Sequence, residues 1–151
     1  MARRERRVPV GQRMMTQMAA MSLVAVSLLA SPAGATGSPG EFAEFAVPTP
    51  QSGLNEVATG FNNDIWFTES LASKVGRITF DGTIVEYPTP TPASAPAAIN
   101  PGPDGNMWFA EGGSNRIARI TLGGTITEFP IPTPASNVVS VNAGPANDVW
   151  F

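Results

Sequence analysis

The chain has 151 residues, 42% hydrophobic and 14% charged, with 15 glycines and 15 prolines, a composition that supports one turn-rich globular unit rather than a solvated tail. Cysteine and histidine are absent, which excludes disulfides, thiolate and imidazole metal sites, cysteine nucleophiles and every histidine-dependent triad. The net charge of −3 is uneven: residues 36–151 carry four basic and eleven acidic side chains, a net of −7 that repels phosphate backbones and argues against a nucleic-acid partner.

The first element is a leader. Arg3, Arg4, Arg6, Arg7 and Arg13 precede the apolar run Met18 to Ala30, which ends in Ala33-Gly34-Ala35, the positive, apolar, small-residue order of a signal peptide over residues 1–35. The run is shorter than the roughly 20 residues that span a bilayer, so a stable membrane anchor is not expected. Cleavage after Ala35 and a secreted or periplasmic protein are.

A first strand is expected over Glu41 to Val47, and a repeat follows. Trp66, Trp108 and Trp150 stand 42 residues apart, as do Phe67, Phe109 and Phe151, and Gly60, Gly102 and Gly144. The same step relates Glu69 to Glu111, Arg77 to Arg119, Gly82 to Gly124, and Glu44 to Glu86 and Glu128; the prolines at 48, 90 and 132 keep it too. One period predicts four strands: Asn55 to Thr59, Ile65 to Glu69, Lys74 to Thr79 and Thr83 to Tyr87. Asp81-Gly82 supplies a hairpin turn, and Pro-x-Pro connectors join the copies.

Four strands in about 40–45 residues make one β-propeller blade. Residues 36–151 are therefore expected to form an all-β, partial propeller of four-stranded antiparallel blades, with copies centred on Trp66, Trp108 and Trp150. The third copy reaches only its second strand, giving eleven strands in all, too few to close a ring. The expectation is an amino-terminal piece of a longer protein, or a chain that completes its ring through missing downstream blades or self-association.

The repeated residues allow bland and functional readings. Glu69 and Glu111 are the candidate metal ligands or bases, yet recurrence in consecutive blades favours a structural role. Trp66, Trp108 and Trp150 read as blade core, each packing on its neighbour. Asp64, Asp104 and Asp148 read as turn formers rather than calcium ligands, and Arg77 and Arg119 as ion-pair or snorkelling residues.

The segments Gly102-Pro103-Asp104-Gly105-Asn106-Met107-Trp108-Phe109-Ala110-Glu111, Asn115-Arg116-Ile117-Ala118-Arg119-Ile120-Thr121 and Gly124 to Pro134 resemble the blade consensus of the virginiamycin B lyases, or streptogramin lyases. Ile65 to Glu69 and Lys74 to Thr79 match as well. The resemblance implies a seven-bladed propeller of which about two and a half blades are present. It also implies a magnesium-dependent C–O elimination that linearises a cyclic depsipeptide antibiotic at its ester. Such chemistry needs a base near an α-proton and a cation on the ester carbonyl. In the family a glutamate has one histidine fourteen residues before it and another three after. Mapped here, Glu69 and Glu111 fill the glutamate position, Asn55 or Ala97 the upstream one and Ala72 or Ser114 the downstream one. Both bases are missing, so these blades are not the catalytic ones. Magnesium enters by resemblance alone, and a small-molecule or peptide ligand is the expected partner. The alternative is a secreted binding or scaffold propeller without catalysis; a gluconolactonase-type metal hydrolase is more distant, because it needs several inward acids.

Overall fold

Alternation of β-branched and aromatic residues with turn-forming Gly, Asn and Asp dictates short strands throughout, and the computed structural model, which describes residues 44–151, contains strands and turns only among those residues. The leader over residues 1–35 lies outside the described residues. The first sheet comprises β1 (Leu54–Thr59), β2 (Ile65–Glu69), β3 (Lys74–Ile78) and β4 (Ile84–Pro88). The second comprises β5 (Pro96–Pro101), β6 (Met107–Glu111), β7 (Arg116–Ile120) and β8 (Ile126–Pro130). Both are antiparallel meanders in strand order 1-2-3-4. A short pair, β9 (Asn142–Ala143) and β10 (Val149–Trp150), begins the third copy. This is a partial β-propeller with the expected blades, and in its two complete blades each strand boundary lies within a residue of its predicted place.

The register repeats as closely as the sequence. Trp66 opposes Arg77 and Trp108 opposes Arg119 on neighbouring strands. The same irregularity breaks the first ladder of each blade, between Leu54 and Val57 and between Pro96 and Ile99. Both β3–β4 turns place a glycine at positive φ, Gly82 at 86° and Gly124 at 89°, a conformation that disfavours any side chain. Gly60 and Gly102 recur for another reason: a methyl group at either would overlap the indole of Trp66 or Trp108.

The blades meet through their first strands, with β1 and β2 against β5. Between them lies a core containing Trp66, Val75, Ile99, Met107, Phe109 and Ile120. Ala110, Ile117, Ile131 and Val138 make a smaller cluster on the far side of the second blade.

Two expectations are corrected. Residues 44–47, the described part of the Glu41 to Val47 segment, form no strand. They still run alternately, with Phe45, Val47 and Thr49 half-buried and the residues between them exposed; among the described residues ten strands are seen rather than eleven. The tryptophans are not equally core residues: Trp66 is fully buried, Trp108 half-buried, and Trp150 63% exposed. Each indole is covered by the blade that follows it, and the described residues put less and less there.

Candidate functional site

Each β2-type strand ends in a glutamate beside the connector that leads into its blade. Glu69 and Glu111 are both completely buried. The serines beside them, Ser52 and Ser94, are also buried. Each serine is held between two residues of positive φ, Gln51 and Gly53 in one blade and Ala93 and Ala95 in the next. The backbone of these connectors is tied to the β2–β3 turns: Leu71 N donates to Ser52 O at 2.9 Å and Gly113 N to Ser94 O at 3.0 Å.

The two carboxyls differ in their partners. Ser114 Oγ donates to Glu111 Oε2 at 3.0 Å, leaving Oε1 unpaired, whereas Ala72 stands at the equivalent position of the first blade and both oxygens of Glu69 lack a partner. Burial drives both acids toward the neutral form. Glu111 is pushed up to about 7 by burial, opposed by Ser114, reinforced by the Glu128 carboxylate and opposed again by Arg116 and Ser94. Glu69 is raised mainly by burial as well, with Ser52 and Lys74 opposing and Glu86 reinforcing the rise.

Beside these acids lies a cluster that sequence reading missed. Thr49 N and Oγ1 donate to the Glu86 carboxylate at 2.8 and 2.6 Å, and Lys74 Nζ reaches the same carboxylate at 2.7 Å. One period later, Thr91 N and Oγ1 donate to Glu128 at 2.8 and 2.6 Å, with Arg116 at 3.6 Å. The Pro-x-Pro threonine therefore clamps each blade to the connector before it. Its signal was present in the 42-residue recurrence of Thr49, Thr91 and Thr133.

At the opposite end of the blades, Arg77 lies 5.5 Å from the Trp66 ring centre and pairs with Asp64, while its Nη1 donates to Leu122 O of the next blade at 2.6 Å. Trp66 also stacks on Tyr87 at 6.0 Å. Arg119 covers Trp108 at 5.9 Å and pairs with Asp104 at 3.2 Å, and Trp108 stacks on Phe129 at 5.4 Å. Asp64 and Asp148 close their turns through backbone carbonyls, which accept from Gly60 N at 2.8 Å and Gly144 N at 2.9 Å. These residues build blades and interfaces.

The structure does not assemble the elimination machinery on either glutamate. Among the described residues, no group of three or more His, Cys, Asp or Glu side chains converges to hold a metal. A single buried carboxyl held toward its neutral form does not supply the set of hard oxygen ligands that magnesium takes, so the residues present do not fit that ion. Asn55 and Ala97, at the upstream histidine position, hold no base.

Compared with known proteins, residues 12–151 match the model of the virginiamycin B lyase family. The chain belongs to that family. A streptogramin B lyase structure is similar at 42% identity and a TM-score of 0.72, over 74% of this chain and 38% of that one. Selenomethionine-substituted virginiamycin B lyase from Staphylococcus aureus is similar at 42% identity and a TM-score of 0.73, over 76% of this chain and 39% of that one. The same values relate the chain to a catalytically inactive histidine-to-alanine variant of that lyase with quinupristin. The chain thus spans under two-fifths of the length of these lyases. Among curated proteins, none matches.

Proposed function

We propose that the chain is an exported member of the virginiamycin B lyase family whose two complete blades serve as the scaffold of a ring acting on a cyclic depsipeptide of the quinupristin type. The observation that carries this reading is the 42% identity to a lyase crystallised with quinupristin. On this reading the described blades are not catalytic: Glu69 and Glu111 hold the repeated glutamate position without an adjoining base, and serve packing. The reaction proper to the family, elimination across a C–O bond, removes an α-proton and releases a carboxylate. Its base, and any magnesium, belong to other blades of the ring. Residues 1–35 direct export, and the acidic surface of residues 36–151 suits a small-molecule or peptide ligand rather than nucleic acid.

The test is a chimera in which residues 44–151 replace the matching blades of the Staphylococcus aureus lyase. Elimination leaves the mass of quinupristin unchanged while opening the ring, whereas hydrolysis adds one water, so chromatography with fragment mass spectrometry separates the two. The chimera is expected to open the ring by elimination and the chain alone to leave quinupristin intact. A folded but inactive chimera contradicts the lyase reading and favours a binding propeller. Amino-terminal sequencing of the protein from culture medium or periplasm tests export, with a start at Thr36 expected.

A further inference from the structure

Between the β2–β3 turns and the connectors that hold them, the two complete blades exchange one pair of residues. Gly53 and Leu71 of the first blade are replaced, 42 positions on, by Ala95 and Gly113 of the second. The paired positions almost touch: a methyl group on Gly53 would lie 3.1 Å from Leu71 Cβ, and one on Gly113 the same 3.1 Å from Ala95 Cβ. Each pair therefore carries one glycine, and the blades place it on opposite partners. In the first blade the connector gives way and the turn gains a leucine. Packing does not account for that side chain, which is 80% exposed. Its backbone is nonetheless pinned: Leu71 N and Ala72 N donate to Ser52 O at 2.9 and 3.1 Å, and Ser70 N and Oγ both donate to Gly53 O at 2.9 Å. Neighbouring blades leave the position open, since Leu71 is exposed with the second blade following it and Gly113 is exposed with the first blade preceding it.

We propose that Leu71 is a specificity-determining contact for the cyclic depsipeptide, an apolar prop at the end of the ring that carries the repeated glutamates. The inference rests on the lyase reading, which puts the base beside the glutamate position of another blade and so puts the ester at this end. The surface here suits an apolar side group of the substrate. Residues 51–53, 70–73, 93–95 and 112–115, the connectors and turns of both blades, include no charged side chain, whereas the turns at the opposite end hold Asp64, Asp81 and Asp104. Because the turn is already fixed, covering Leu71 orders only its side chain, which keeps the entropic cost of the contact low. Gly53 leaves the space in which the leucine lies, as a methyl group there would come within 2.6 Å of Leu71 Cγ.

The test is quinupristin turnover by the chimera carrying residues 44–151, with Leu71→Ala and Leu71→Met variants and thermal melting of each. Leu71→Ala is expected to raise KM about five-fold with kcat and melting temperature unchanged, because it removes apolar contact made alike in ground and transition states. Leu71→Met is expected to restore most of the lost affinity. An active chimera whose KM ignores Leu71→Ala overturns this inference and leaves the lyase reading standing. Where the chimera does not turn over, the leucine methyl signals of the chain itself, followed by nuclear magnetic resonance as quinupristin is added, decide the contact. Movement of the Leu71 methyls beyond those of Leu54 and Leu122 then supports a ligand contact in a propeller without this chemistry, and unmoved Leu71 methyls overturn it.

Discussion

The interface between the two complete blades and the far side of the second blade are built on equivalent positions 42 residues apart, yet only the first closes fully. Trp66 is sealed beneath the second blade, Trp108 is half-covered by the β9–β10 pair, and Trp150 stands largely in solvent. The aromatic–arginine stack is intact in both complete blades. Local geometry is thus a property of the blade, and burial a property of its neighbour. In repeat architectures each unit hides its apolar face against the next, so the same side chain contributes unequally along the chain.

The largest expected effect breaks the two tryptophans apart. Trp66→Ala removes a fully buried side chain and is expected to destabilise by about 3–5 kcal/mol. Trp108→Ala is expected to cost well under that, about 1–2 kcal/mol, because part of its surface already meets water. Urea unfolding followed by circular dichroism measures both. Equal losses would mean that blade geometry, not the following blade, sets the value of the indole.

The buried acids give the next largest effect, and its sign is fixed. Glu111 is held near 7 in the fold against an ordinary value of 4.5, so the folded state binds more protons than the unfolded chain between those values. Its contribution is complete below about pH 4.5 and is lost as pH rises through about 7, on the order of 3 kcal/mol. Glu69 shifts in the same direction. Glu111→Gln is expected to flatten stability over that range and to exceed the parent above pH 8. A parent protein whose urea midpoint climbs between pH 5 and 8 would show that neither acid is buried in neutral form.

The clamps differ in their cation: Lys74 sits 2.7 Å from Glu86, but Arg116 is 3.6 Å from Glu128. Glu128 therefore leans more heavily on its threonine. Thr91→Val is expected to cost about 1–2 kcal/mol through the lost charged hydrogen bond, and Thr49→Val less. The reverse order, by urea unfolding, would show that the lysine and arginine are equivalent there.

The blades were legible because their signals are local: Ile65 to Glu69 reads as a strand from its own residues, and the Asp81-Gly82 turn from its glycine. The 42-residue step then carried the architecture. What stayed hidden depends on partners distant in sequence. The segment at residues 44–47 has strand-like composition but no ladder to join. Trp150 is exposed because no further blade among the described residues covers its indole, which its own residues do not encode. The depth of Glu69 and Glu111 follows from β2 and β6 being covered on both faces. Thr49, meanwhile, shows its purpose only beside Glu86, 37 residues on.

The smallest effect, that of Asp104→Asn, concerns a substitution that the repeat conceals. In the first blade the arginine's partner is Asp64, with Asn62 two residues earlier; in the second, Asn106 holds the position of Asp64 and the acid has moved to Asp104, opposite Asn62. Both turns keep one carboxylate for the arginine over the indole, approached from different sides. The settings are unequal. Asp64 is buried, whereas Asp104 is partly exposed and pairs with Arg119 at 3.2 Å. Burial pushes the Asp104 carboxyl up, but the Trp108 indole N–H, Asn106 and Arg119 outweigh it and hold it down at about 2. A lowered value in the fold stabilises above the ordinary 3.8 and is lost as pH falls through about 2. Because the pair is open to solvent and salt, Asp104→Asn is expected to cost no more than about 1 kcal/mol at neutral pH. Asp64→Asn leaves Arg77 without its buried counter-charge at the blade interface and is expected to cost more, about 3 kcal/mol. Urea midpoints at pH 7 in low and high salt separate the two: the Asp104 effect should shrink with salt and the Asp64 effect persist. If both shrink alike, the first interface is as wet as the second blade's outer face, and the contrast between them fails at this end of the blades.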